Sequence, residues 1–222
     1  MLKKLKEVFW VWWHLTRVYF QMLYGYWRVS HLPQPIVTIF GSARSPQTDL
    51  YAQQAHTLAS MLINVDISVL TGGGPGIMEA ANCGAVPRKG SYAKSVGISV
   101  TELGEKLNAC VQESFALNYF FARKWLLTRL SAGFVVFPGG FGTIDEFSEI
   151  VTLIQTKKMK PLPVVLIGTE YWAPFMAWLN TEVLQHGFIA KEHLDLFRVT
   201  DDLDFAFCFV RDTCEIPGLM KR

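Results

Sequence analysis

Cysteine is scarce and unpatterned in this chain of 222 residues: Cys83, Cys110, Cys208 and Cys214 form no Cys-x-x-Cys pair, and no histidine stands at metal-ligand spacing from them. That predicts reduced, mostly buried thiols in a cytoplasmic protein, with neither a metal site nor a disulfide framework. An excess of one charge is missing too, since 21 Lys and Arg against 19 Asp and Glu leave a formal +2, too little to imply a nucleic-acid partner. Two glycine-rich stretches occur, but neither ends in Gly-Lys-Ser or Gly-Lys-Thr, which excludes a Walker A loop. Gly72-x-Gly74-x-Gly76 lacks the GxGxxG spacing, and no acidic ribose partner follows at the expected distance, which argues against a dinucleotide. No Ser-x-His-Lys lysine is present to form a pyridoxal Schiff base, so no cofactor is expected. Repeats, low-complexity tracts and a second domain boundary are absent. Half the residues are apolar, enough for a full core, and the length fits one α/β domain with an appendage.

What is present centres on Pro138-Gly139-Gly140-Phe141-Gly142-Thr143-Ile144-Asp145-Glu146, which follows the apolar run Phe134 to Phe137 and opens an amphipathic stretch reaching about Lys157. It reads as strand, glycine loop, helix. Glycines let the backbone turn sharply and approach a ligand, and the new helix offers unpaired N–H groups and its positive pole to an anion, with the Thr143 hydroxyl as an extra donor. Glu146 lies one turn into that helix, beside whatever is attached to the anion. A phosphate clamp next to a carboxylate points to chemistry on a phosphorylated sugar. The alternative is a tight turn in which Thr143 and Glu146 cap the helix.

Strand and helix patterns alternate from Pro35 onward. Ile36 to Phe40 reads as a strand ending at Gly41-Ser42, and Asp49 to Ile63 as a helix; Ile67 to Leu70 is a strand ending in Thr71 to Gly76, with a helix from Ile77 to Ala85 behind it. Val96 to Val100 is a strand. A polar connection leads to a long helix, Leu117 to Leu130, that carries Arg123 and Lys124. Val164 to Ile167, a helix around Trp172 to Leu184, a short strand near Phe197 to Val199 and a helix from about Asp201 to Asp212 complete the chain. This alternation predicts an α/β fold, a Rossmann-like doubly wound parallel sheet whose ligands bind at the carboxyl ends of the strands. The loops at Gly41, Gly72 to Gly76 and Gly139 to Thr143 all follow strands and so converge on one crevice. The predicted division is residues 1–32 as an added aromatic-rich amphipathic helix and 33–222 as the nucleotide-binding domain.

That added helix is dominated by aromatic and aliphatic residues from Phe9 to Trp27. At about 100° per residue, Lys3, Glu7, His14, Arg17, Gln21, Gly25 and Arg28 fall on one narrow stripe, interrupted by Trp10. His14 reads as a member of that stripe, not as a ligand. No small-residue cleavage site follows, and Arg17 in mid-segment argues against a spanning helix. Packing against the domain or a second subunit is the favoured reading, and a membrane interface is the less favoured one.

Thr71-Gly72-Gly73-Gly74-Pro75-Gly76-Ile77-Met78-Glu79-Ala80-Ala81-Asn82, the stretch Tyr119 to Lys124, and Pro138 to Glu146 together resemble the LONELY GUY (LOG) family, over about Ile36 to Asp212. The resemblance implies a Rossmann-like homodimer or higher homo-oligomer that hydrolyses the N-glycosidic bond of nucleoside 5′-monophosphates, of the AMP or cytokinin riboside monophosphate type, freeing base and ribose 5-phosphate. Many members carry the older label lysine decarboxylase.

Carried over by position, Arg123 and Glu146 match the family's catalytic pair, and Gly139, Gly140, Phe141, Gly142 and Thr143 its phosphate loop. The chemistry agrees: a carboxylate near the anomeric carbon stabilises an oxocarbenium-like state and activates water, while an arginine, which keeps its proton, fixes the carboxylate or the nucleotide. Asp145 points about 100° away from Glu146 and reads as a dipole-favoured first-turn carboxylate. Gly73 and Gly74 belong to the second glycine loop. Glu79 reads as a ligand for the ribose hydroxyls or base, or as a helix-start residue. Lys124 reads as a phosphate ligand or a solvated cation. Gly41 opens the first loop, and Ser42 either donates to phosphate or caps the segment after the first strand. The competing reading is a non-catalytic carrier of a nucleotide or nucleotide-like cofactor, which needs the glycine loop but not Glu146.

Overall fold

The structure is a computed structural model that describes residues 2–101 and 106–214. Seven parallel strands form one sheet in the order β4-β3-β2-β1-β5-β6-β7: β1 Ile36–Phe40, β2 Ser68–Thr71, β3 Ser95–Val100, β4 Glu113–Leu117, β5 Gly133–Val136, β6 Val164–Ile167 and β7 Arg198–Thr200. The helices are α1 Leu2–Ser30, α2 Leu50–Ile63, α3 Ile77–Gly84, α4 Phe120–Arg129, α5 Phe141–Gln155, α6 Thr169–Trp178 and α7 Leu203–Cys214.

Both faces of the sheet are covered, and for that reason the central strands read as unbroken apolar runs instead of alternating ones. In β5 and just beyond, Phe134 and Val136 face one core while Val135 and Phe137 face the other, and Val164, Leu166 against Val165, Ile167 repeat this in β6. One core lies under α2, α3 and α7; the other gathers α4, α5, Trp172 of α6 and the end of α1, where Val29 is fully buried. Fully burying one such side chain contributes about 1.5–3 kcal/mol, so these two layers dominate the stability of the fold.

Two expectations need correction. The connection before α4 contains β4, and Leu117 ends that strand instead of starting the helix. β4 pairs on one side only, from Val96↔Glu113 to Val100↔Leu117, with Phe115 and Leu117 turned inward and Ser114 and Ala116 outward. A half-exposed edge strand carries polar residues, and five alternating positions are easily read as a loop. The helix expected over Trp172 to Leu184 begins earlier, at Thr169, and passes at Leu179–Leu184 into a π-helical stretch. Elsewhere the expected elements are found within a few residues.

Candidate active site

The strand order reverses between β1 and β5, so the helices that follow them leave on opposite faces and open a crevice at the carboxyl ends. Three loops meet there, locked together by backbone hydrogen bonds. The Ser42 N–H donates to the Pro138 carbonyl at 3.0 Å, and the Ile77 N–H donates to the Ser42 carbonyl at 2.9 Å. Ser42 thus joins the loop after β1 to the loops after β5 and β2. Its hydroxyl accepts the Arg44 N–H at 3.0 Å, the capping arrangement. A Cβ on Gly41 would lie 2.6 Å from Ile77 Cγ2, so glycine is what allows α3 to start against this loop.

The second glycine loop is held from behind by a buried polar network. Thr71 Oγ1 accepts the Gly73 N–H at 2.9 Å and donates to Asn82 Oδ1 at 2.7 Å, and Asn82 Nδ2 donates to Ser95 Oγ at 3.0 Å. Asn108 Nδ2 lies within 3.0 to 3.1 Å of the Gly73 and Gly74 carbonyls and Asn82 Oδ1. Asn108 was missed in the sequence because it lies in an unpatterned connection, 35 residues from Gly73. Glu79 is half-buried in the first turn of α3, with Gln47 Nε2 donating to its Oε2 at 3.5 Å.

Next to this network, Cys83 and Cys110 form a disulfide with Cα atoms 4.8 Å apart. The expectation of reduced thiols and no disulfide is corrected here. The two cysteines are 27 residues apart with no motif between them, and they meet where the segment leading to β4 returns to α3, with Asn108 bonded to Asn82 alongside. Cys208 is free, and the Cys214 side chain lies outside the described residues.

Arg123 comes from α4, the helix that carries the chain from edge strand β4 back across the sheet to β5. Only 5% exposed, it packs so tightly under the second glycine loop that a Cβ on Gly72 would overlap its Nη2. Nη2 sits 3.9 Å from Met78 Sδ and the guanidinium 5.9 Å from the centre of the Phe120 ring, while Nε has no hydrogen-bond partner among the described residues. No described carboxylate lies within ion-pair distance of Arg123. A buried cation so poorly compensated is costly to the protein alone and suited to an anionic guest.

Glu146, in the second turn of α5, is the counterpart. Burial pushes its carboxyl up from 4.5 to about 7; Arg123 and Lys124 pull it down, and the charges of Asp145 and Glu149 push it up. Desolvation prevails over the two cations, which leaves a carboxyl able to take or give a proton near neutrality. Lys124 is neither solvated nor free: its Nζ lies 2.8 Å from Asp145 Oδ2 and 2.9 Å from Glu149 Oε2. Burial lowers its affinity for a proton, and the bonds from the two carboxylates more than restore it. Lys124 therefore ties α4 to α5 and so fixes the two helices that carry Arg123 and Glu146. Asp145, read as a dipole residue, is also an ion-pair partner.

At the start of α5, Gly140 occupies the N-cap position and no side chain caps the helix, so the alternative of a Thr143 and Glu146 cap is not adopted. A Cβ on Gly139 would overlap the buried Thr143 hydroxyl, and Tyr171 Oη donates to the Gly139 carbonyl at 2.5 Å. Gly140 and Gly142 have nothing within 4 Å of where a Cβ would be, and Phe141 is 90% exposed. The backbone at the start of α5 is thus open to close approach, where a helix has its unpaired N–H groups and the positive pole of its dipole.

Fold and site together describe a Rossmann-like protein whose crevice sets an uncapped helix start and a buried guanidinium near a carboxyl raised to about 7. A family profile described as "Possible lysine decarboxylase" matches residues 78–207, and the chain belongs to that family, whose description is the older label that the LOG resemblance carries with it. A cytokinin riboside 5′-monophosphate phosphoribohydrolase of Rhodococcoides fascians is 24% identical over 176 residues, covering 79% of this chain and 88% of that protein. A pyrimidine/purine nucleotide 5′-monophosphate nucleosidase of Escherichia coli (strain K12) is 27% identical over 220 residues, 94% of this chain but 45% of the relative, so the chain spans less than half of that protein. Among solved structures, the molybdenum cofactor carrier protein of Chlamydomonas reinhardtii superposes with a TM-score of 0.58 at 22% identity, covering 81% of this chain and 98% of the other, a likeness of fold.

Proposed function

We propose that this chain hydrolyses the N-glycosidic bond of nucleoside 5′-monophosphates, releasing the free base and ribose 5-phosphate. The observation that carries the reading is the pair Arg123 and Glu146: a buried guanidinium lacking a carboxylate partner among the described residues, and a carboxyl held near neutrality beside it. The names of the two sequence relatives support the same reaction class. The nucleotide's phosphate sits on the open start of α5, at Gly139 to Thr143, and Arg123 binds the nucleotide. As the C1′–N bond breaks, its electron pair leaves on the base and positive charge develops on the sugar. The Glu146 carboxylate stabilises that charge and takes a proton from the water that adds to C1′, and the departing base gains a proton.

A carrier of a nucleotide-like cofactor needs the glycine loop but has no use for a carboxyl so raised, so hydrolysis is the better reading. Decarboxylation through pyridoxal fits poorly: a Schiff-base lysine needs a lowered pKa, whereas Lys124, the lysine beside Glu146, is ion-paired and raised. The working unit is a homo-oligomer, for which the exposed Phe120, Phe121 and Phe141 near the crevice supply apolar contact. Its place is the cytoplasm, which rests on the substrate class now that Cys83 and Cys110 are joined.

The test is incubation of purified protein with AMP and with other nucleoside monophosphates, with free base and ribose 5-phosphate followed by chromatography. Release that disappears in Glu146→Gln is expected. Binding of monophosphates without release from any of them sinks the hydrolase and favours the carrier.

A further inference from the structure

α1 turns its apolar face away from the protein. Its 29 residues extend roughly 43 Å at about 1.5 Å per residue. The side that docks on the body joins the end of the polar stripe, Gln21, Gly25 and Arg28, to the apolar Met22 and Val29, and these contacts all fall in the last third. The Asn118 N–H donates to Gln21 Oε1 at 3.0 Å, Arg28 Nη2 donates to the Ser114 carbonyl at 3.4 Å, and a Cβ on Gly25 would overlap Leu126. With the stripe so occupied, Phe9, Trp12, Trp13, Tyr19, Phe20 and Trp27 are left between 49% and 65% exposed. These six side chains present on the order of 700 Å² of mostly apolar surface, above the roughly 300–600 Å² of the largest patch on an ordinary monomer.

Charge identifies what covers that face. The free half of α1 carries Lys3, Lys4, Lys6 and Arg17, none of them ion-paired among the described residues, and Glu7 is the only acid in the helix. A second copy of α1 laid parallel on the first sets Lys3, Lys4 and Lys6 beside the same lysines, with only Glu7 of each helix to offset them. A surface of anionic phospholipid answers both features at once, phosphates for the lysines and an apolar layer for the rings. We propose that α1 lies in the plane of an anionic phospholipid membrane, with its aromatic face sunk to the acyl boundary and Lys6 and Arg17, at the edge of that face, reaching back to the headgroups. No helix among the described residues is long and apolar enough to cross a membrane, in keeping with an in-plane helix.

The test is co-sedimentation of the full chain with phosphatidylcholine vesicles and with vesicles that also contain phosphatidylglycerol, read together with tryptophan emission. Expected are binding at least about tenfold tighter to the anionic vesicles, a blue shift, loss of both in Trp12→Ser/Trp13→Ser/Phe20→Ser, and loss of the anionic preference in Lys3→Glu/Lys4→Glu/Lys6→Glu. All these substitutions lie outside the crevice, so nucleotide hydrolysis and circular dichroism stay at the parent level. Equal binding to both vesicle types overturns the anionic surface as the occupant. Absence of binding to either, with an oligomer in sedimentation that falls to a smaller species in the aromatic triple variant, overturns the membrane and assigns the face to a second copy.

Discussion

In the loop after β2, a Cβ on Gly72 would run into Arg123 and one on Gly76 into the Ser42 carbonyl, and Gly73 and Gly76 hold φ of +72° and +71°; in the loop after β5, Gly140 and Gly142 have nothing within 4 Å of the same position. Glycine in the first loop serves the protein's own packing. A Cβ there displaces a buried guanidinium or strains the backbone, whatever the ligand. Glycine at 140 and 142 relieves no internal contact, and at 142, inside α5, it costs helix stability relative to alanine. Such a position is explained by a guest that approaches the backbone closely. On the proposed function, the loop after β2 is the wall of the site and the loop after β5 its floor.

The sharpest test of the floor is Glu146→Gln, expected to lower kcat by about 10²- to 10⁴-fold without preventing nucleotide binding. The same substitution reports on burial. Because the carboxyl is raised from 4.5 to about 7, the folded chain holds this proton more tightly than the unfolded one. The cost of ionising it first appears as the pH rises past 4.5 and is complete above about 7. Glu146→Gln is thus expected to match the parent in stability below pH about 4.5 and to exceed it by up to about 3 kcal/mol above neutrality, in denaturant titrations at the two extremes. In the parent, kcat/KM is expected to rise through an apparent pKa of about 7, a limb that disappears in the variant.

Gly72→Ala is expected to be the next largest. Its Cβ overlaps Arg123 Nη2 and lies 2.7 Å from Met78 Sδ, so both activity and melting temperature fall, the latter by the equivalent of about 1–3 kcal/mol. Asn108→Ala leaves the Gly74 carbonyl without its 3.0 Å donor and is expected to cost about 1–3 kcal/mol in denaturant unfolding, with the larger kinetic change in KM. Gly142→Ala is the smallest in stability and opposite in sign: a gain of up to about 1 kcal/mol from helix propensity, accompanied by a rise in KM. If Gly72→Ala and Gly142→Ala lose stability alike, the distinction between wall and floor fails.

Much of this was legible in the chain. The apolar runs at Ile36, Val164 and Phe134, each ending at a glycine or proline turn, give parallel strands with loops at one end, because strands buried on both faces need no polar alternation. Edge strand β4 was not legible, since Ser114 and Ala116 face outward from a strand that pairs on one side only. The ion pairs of Lys124 were hidden as well: Asp145 and Glu149 lie 21 and 25 residues away, on a different helix, and no local pattern links them to it.

The sequence by itself determined the sheet, the two glycine loops and the residue types of the site, since strand burial, turn geometry and the open start of α5 depend on neighbours within a few positions. Only the tertiary structure decided three things. The crossover from β4 to β5 brings Arg123 under Gly72, and burial among four other charged groups sets the proton affinity of Glu146. The docking of Gln21, Gly25 and Arg28 on the body decides which face of α1 is left to its surroundings. Each depends on contacts between segments far apart in the chain, and desolvation and steric exclusion act on distance in space, not on distance in sequence.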